Sequence, residues 1–224
     1  MQQQQQEVKL HVDSLSIFKD IELKDSRFIN AALIRENQSI TFKEEEYIPV
    51  DLSFYASTCK ITLKQAYKQV LEIATNLRDT SFTLKLVNGY DLTTSLVYSI
   101  LSSEKDCVIS INWNKKFIPF ISGIMPAGKF VMLEPSMVTI KSQKRYSLYI
   151  LLKTHLWELA HYGKFSITKD TIREVLRIEE TEYTAYKELN KWLIKPTLKD
   201  MYKLTGVNLT TKVIGTRVEF SHVI

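Results

Sequence analysis

From Lys141 to the C-terminus, the spacing of apolar residues switches between helical and extended periods in an order that few folds can satisfy. Tyr146, Tyr149, Ile150, Leu152, Leu156, Trp157 and Leu159 recur at helical spacing between Ser142 and about Tyr162, and Gly163 closes the run. Phe165-Ser-Ile167 reads as a short extended piece. A helix then opens at Thr168 or Lys169 and runs to about Ile178, burying Ile172, Val175 and Leu176. Glu179-Glu-Thr181 is a tight polar turn, followed by a second helix from about Tyr183 to Leu204 that Gly206 ends. Val207–Val213 and Arg217–Val223, both rich in β-branched residues, flank Gly215 as the two arms of a hairpin.

Helix, short strand, helix, turn, helix, hairpin is the order of a winged helix-turn-helix domain, with the hairpin as the wing. The middle of the chain follows a looser version of the plan. Val50 to about Thr58 reads as one helix, and Thr62 to about Asp79 as a longer one. The longer one carries a stripe of Leu63, Ala66, Tyr67, Val70, Ile73, Ala74 and Leu77. Strand-like runs follow at Ser81–Val87, Thr93–Leu101 and Cys107–Trp113. Ala66-Tyr67-Lys68 and Ala185-Tyr186-Lys187 match, as do Leu77-Arg78-Asp79 and Leu198-Lys199-Asp200 in their Leu-basic-Asp pattern, which suggests an internal duplication. The expected fold class is therefore α+β, two tandem winged helix-turn-helix domains. Residues 1–40 form a poorly defined N-terminal segment, 41–134 a first winged-helix domain and 135–224 a second. Gly and Pro are scarce, at 6 and 5, so no flexible linker separates them. The punctuation residues of Gly123-Ile-Met-Pro-Ala-Gly128 mark the candidate junction.

Several function classes fall away. No apolar run approaches the roughly 18–20 residues of a membrane span, and the start MQQQQQEVKLHVD has no basic and apolar regions of a signal peptide. Cys59 and Cys107 are too few for a disulfide framework, so a cytoplasmic protein is expected. Gly123–Lys129 looks like a phosphate loop until Phe130 stands where Ser or Thr should reach magnesium. His155, Glu158 and His161 have half of a di-iron spacing without the second half, and read as a polar face. No nucleophile with an adjacent base is visible. The expectation is a protein that is not an enzyme and carries no cofactor and no metal.

Charge then points to a ligand. The net charge of +5 conceals an asymmetry: residues 141–224 hold fifteen Lys and Arg against nine Asp and Glu, whereas the rest of the chain is close to neutral. A local anion-binding surface needs such a concentration. Lys187, Lys191, Lys195, Lys199 and Lys203 stand four apart along the second helix, and each is offset about 40° from the last in an α-helix. Lys187, Lys191 and Lys195 share one exposed face with Thr184 and Asn190, while Leu189, Leu193, Leu198 and Met201 turn inward. Pro196 lacks an N–H and should bend or loosen the helix. A major groove admits one such helix. Lysine suits phosphates and guanine edges, Asn suits adenine, and Tyr186 can pack on sugar or bond a phosphate. Lys212, Thr216 and Arg217 on the wing are placed to reach an adjacent phosphate or the minor groove. The expected partner is double-stranded DNA.

The segment from Lys141 to Phe220 resembles the second winged-helix domain of the iteron-binding plasmid replication initiators. The likeness rests on Ile140-Lys-Ser-Gln-Lys-Arg-Tyr-Ser-Leu-Tyr-Ile-Leu-Leu152, Thr171-Ile-Arg-Glu-Val-Leu176, Trp192-Leu-Ile-Lys-Pro-Thr-Leu-Lys-Asp-Met201 and Gly215-Thr-Arg217. Tyr67-Lys68 through Ser81-Phe82, and Cys107–Phe120, resemble parts of that family's first domain. The likeness covers about residues 45–224, and the first forty residues do not match the family's opening helices.

The resemblance implies two winged helices on one DNA repeat, with direct repeats at a replication origin as the target. It implies monomers that open the origin, homodimers that repress transcription, and recruitment of the host initiator and replicative helicase. A bacterial, plasmid-encoded protein of the cytoplasm is implied too. Lys64, Gln65 and Lys68 would then add DNA contacts from the first domain, which would also supply the dimer surface. Two other readings stay open: a winged-helix transcription regulator without origin function, and a winged-helix protein-interaction module.

Overall fold

The structure is a computed structural model of the chain and describes residues 8–11, 24–25, 28–29, 47–85, 90–116, 130–133, 137 and 139–223. The glutamine run, most of the first forty residues and the loop-like Gly123–Lys129 lie outside the described residues. The chain divides into two compact units, Met1–Thr139 and Ile140–Ile224.

In the first unit, Asp51 accepts a hydrogen bond from the amide of Phe54 and caps α1, Leu52–Cys59. Lys60, in the left-handed region at φ 57, then turns the chain. The next helix, α2, runs Leu63–Asp79 from a reciprocal capping box. The Thr62 hydroxyl accepts from the Gln65 amide, and Gln65 Oε1 accepts from the Thr62 amide at 2.9 Å. The stripe expected of α2 is buried from Ala66 to Leu77, but Leu63 is exposed, because the first helical residue still points away from the core.

Five strands flank α2 in the chain order of this unit: β2, Ile48–Pro49, before it, and β3, Phe82–Lys85, β4, Asp91–Thr94, β5, Val97–Ser103, and β6, Val108–Trp113, after it. The sheet β2-β6-β5 is antiparallel, with β5 at its edge, and β3 pairs with β4 as a separate hairpin. The single strand expected at Thr93–Leu101 is therefore two. Leu96 is fully buried between them, and its backbone bonds Leu77 O and the Asn114 amide, so the chain changes sheets there.

One further pairing corrects the expected domain limits. The strand Val8–His11, β1, pairs with Phe130–Leu133, β7, and Phe28 and Ile29 are wholly buried, with Phe28 stacked on Trp113 at 6.2 Å. The first unit thus includes N-terminal residues that the sequence left outside it.

The second unit opens with α3, Gln143–Thr154, whose cap is Ser142. The expected single helix to Tyr162 breaks at His155, and α4 follows at Leu156–Tyr162. His155 stacks on Phe165 at 5.1 Å and bonds Glu158 at 2.9 Å, which draws the ring out of helical register. Trp157 is consequently 59% exposed rather than on the buried face.

Next come β8, Lys164–Thr168, and α5, Lys169–Val175. The second helix of the helix-turn-helix, expected from about Tyr183 and termed the reading helix, begins at Tyr186 and has three parts: α6, Tyr186–Leu189; a π-turn, Asn190–Ile194; and α7, Lys195–Thr205, ended by Gly206. The hairpin of β9, Leu209–Ile214, and β10, Arg217–His222, turns on Gly215-Thr216, with the positive φ at Gly215 that a two-residue turn requires. Strand order is β8-β10-β9, and Phe165 stacks on Phe220 at 5.0 Å in the core beneath.

Candidate nucleic-acid interface

The turn before the reading helix contains no glycine or proline. Arg177 and Tyr183 both hold positive φ, of 49° and 47°, which costs about 1–2 kcal/mol each for a residue with a Cβ. Arg173 stabilises the loop between them. Its guanidinium donates to the carbonyls of Glu179, Glu182 and Tyr183 at 2.6, 3.0 and 3.1 Å. A rigid fork of donors suits three converging carbonyls. Glu182 also pairs with Lys144 of α3, and that ion pair holds its carboxyl below the usual carboxylate range.

Pro196 has the effect expected of it, in a specific form. It cannot donate to Trp192 O, and its ring would crowd that carbonyl in an α-helix. The chain responds with the π-turn just before it, where the Lys195 amide reaches back to Asn190 O. Leu189, Leu193, Ile194, Thr197, Leu198 and Met201 remain buried across the irregularity, and Thr197 returns its hydroxyl to Leu193 O at 2.8 Å.

On the outer side, Lys187, Lys191, Lys195, Lys199 and Lys203 are all exposed. A π-turn advances less per residue than an α-helix, so the step from Lys191 to Lys195 offsets the drift of a regular helix. Lys191 rests 4.5 Å from the ring of Trp192, itself 58% exposed. Asn190 is half-buried, and its Oδ1 is enclosed without a hydrogen-bond partner, so this residue stands apart from the lysine face. Tyr186 is half-buried too, and burial pushes its phenol up. Thr184 is exposed but precedes the helix rather than lying on it.

The wing presents Lys212, Thr216 and Arg217, with Thr216 and Arg217 at its exposed tip. Arg217 is also tied down, donating to Ser166 O on the neighbouring β8 at 2.9 Å. In the first unit, Lys64 and Lys68 are exposed on α2, whereas Gln65 is committed to the capping box, so its carbonyl oxygen is already engaged. The pattern Thr62-x-x-Gln65 is itself the signal for that role. Lys169 and Arg173 carry no comparable signal, because their partners are backbone carbonyls distant in sequence or across a turn.

Among the described residues, no group of His, Cys, Asp and Glu is arranged to hold a metal, and no helix is long and apolar enough to cross a membrane. His155 and Glu158 bond each other, and His161 bonds Trp157 O at 2.8 Å.

Each unit places a short strand, two helices and a hairpin, with the second hairpin strand at the centre of its sheet. That arrangement defines a protein of two tandem winged helices. The family models agree: residues 5–153 match the first winged helix of the initiator replication proteins, and residues 168–221 match the second. The chain belongs to this family of Rep initiators. The first match begins at residue 5, so the N-terminal segment belongs to the family pattern after all. A replication initiation protein of Escherichia coli is 23% identical over 215 residues, covering 88% of this chain. The chain spans 65% of that relative's length. The Pi initiator protein, solved in complex with iteron DNA, has the same fold at a TM-score of 0.77 and 17% identity, over 99% of this chain and 98% of that one.

Proposed function

We propose that this chain is a sequence-specific DNA-binding initiator of plasmid replication, with no enzymatic activity of its own. It binds direct repeats at a replication origin, opens the origin and recruits the host initiator and replicative helicase in the bacterial cytoplasm. The observation that carries the reading is the exposed lysine row of the reading helix beside a basic wing, in a chain of the Rep initiator family. In the reading helix, Lys187 and Lys191 meet base edges, with Lys195 on the backbone and Lys212, Thr216 and Arg217 on the wing. Asn190 and Tyr186 act from half-buried positions. Lys64 and Lys68 add contacts from the first unit.

Dimers that repress transcription belong to the same reading. Tyr98 and Leu101 on the edge strand β5, with Val108 on β6, are exposed at 72%, 60% and 47%, and a second copy of the chain would cover them.

The test is a mobility-shift series across salt concentrations, on duplexes carrying direct repeats from beside the chain's own gene. Lys191→Ala with Arg217→Ala should weaken binding by roughly 1–3 kcal/mol for each base edge that goes unread. Unchanged affinity overturns the assignment.

A further inference from the structure

Lys169, the first residue of α5, lies outside the surface assigned above. Its amide donates to Thr216 O at 2.9 Å, and its Nζ donates to Gly215 O at 2.9 Å, so both ends of the residue hold the wing turn. The same ammonium stands 5.8 Å from the ring centroid of Tyr186, the first residue of the reading helix. One side chain thus touches both elements to which DNA binding is assigned. A lysine ammonium has three donors, and Gly215 takes one. Among the described residues it has no other hydrogen-bond or ion-pair partner.

The geometry of a duplex supplies what faces it. A helix in the major groove and a wing at the flanking minor groove are separated by one sugar–phosphate backbone. A residue that bridges helix and wing therefore faces that backbone. Lys169 is already anchored on a carbonyl and an aromatic ring, so it gives up little side-chain freedom on meeting a phosphate. Lys169 also lines a cleft of about 360 Å³ together with Arg173, Asp170, Glu180 and Tyr186, so two cations share it with two carboxylates.

We infer that Lys169 is a further phosphate-binding residue, at the seam between the wing and the reading helix. This rests on the DNA-binding function proposed above. The test uses the full chain and a short duplex that the chain itself selects from a randomised pool. Affinity is titrated by fluorescence anisotropy at several salt concentrations. Lys169→Met should lower the slope of log K against log salt by about 0.9, the signature of one neutralised phosphate, while Lys169→Arg keeps the slope. Lys169→Gln retains a donor for Gly215 and is read in the same way if Lys169→Met fails to fold. A slope unchanged in the neutral variant overturns the inference even if affinity falls, because a lysine that only props the wing alters affinity alone. Lys195→Ala separates the two levels: a reduced slope there with no change at Lys169 sinks this inference only, and no change in either sinks the interface as well.

Discussion

The two winged helices share a topology and differ in how each long helix is built. In the first unit, α2 is one continuous α-helix with a capping box at its start. In the second, the equivalent helix starts without a side-chain cap and passes through a π-turn before Pro196. Wings differ in the same sense. The first carries Glu104-Lys105-Asp106 at its tip and exposed Tyr98 and Leu101 on its edge strand, while the second carries Gly215-Thr216-Arg217 and Lys212. Regularity accompanies the apolar, acidic wing, and irregularity accompanies the basic one. Repetition of a fold has left one copy with self-sufficient local structure. The other copy depends on bonds from elsewhere in the chain.

The largest expected effect attacks that dependence. Arg173→Ala removes three charge-assisted bonds to the turn and should destabilise the second unit by about 2–3 kcal/mol, read by urea denaturation of the full chain. A loss no greater than that of an ordinary surface arginine would break the contrast. Pro196→Ala should make the second helix resemble the first. Restoring the N–H stabilises it by about 1 kcal/mol in a thermal melt, while removal of the π-turn shifts the lysine row and weakens DNA affinity. A rise in stability with unchanged affinity would show that the irregularity has no bearing on binding. In the first unit, Thr62→Ala breaks the capping box and should cost about 1 kcal/mol, with no change in the salt slope of DNA binding. The smallest effect concerns pH. Lys144 lowers the Glu182 carboxyl, so their bond stabilises the fold at neutral pH and the contribution fades as pH falls through the carboxyl's titration. Glu182→Gln should melt slightly below the parent at neutral pH and level with it once the carboxyl is protonated.

The sequence disclosed most where structure is local. Thr62 before α2, Gly206 after α7 and Gly215 in the wing each mark a boundary within a residue or two, because the signal and the bond it makes are neighbours. It disclosed least where a distant partner decides. Leu189, Leu193 and the four-spaced lysines fit an α-helix and a π-turn equally, so only Pro196 hinted at the difference. The break at His155 depends on Phe165, and the change of sheet at Leu96 depends on Leu77 and Asn114. The matching tripeptides proved poor evidence of duplication. Tyr67 is buried inside α2 but Tyr186 begins its helix half-exposed, and Asp79 pairs with its neighbour Arg78 while Asp200 pairs with Arg145 of α3. Strand order carries the repetition instead. At the interface, the lysine row was legible from spacing, whereas the enclosure of the Asn190 oxygen and the commitment of Gln65 to a cap were not read from composition or charge.

The arginine that holds the turn also sets a trap for mutational mapping. Arg173 is a cation that lines the same cleft as Lys169, and its removal should weaken binding by loosening the turn between α5 and the reading helix. An alanine scan scored on affinity alone would count it among the residues that touch DNA. Scored against salt it would separate from them, because only a cation that sits on a phosphate displaces a DNA counterion, and the role assigned to Arg173 is to hold the turn. A basic side chain in such a domain can thus be indispensable to recognition without meeting a single phosphate.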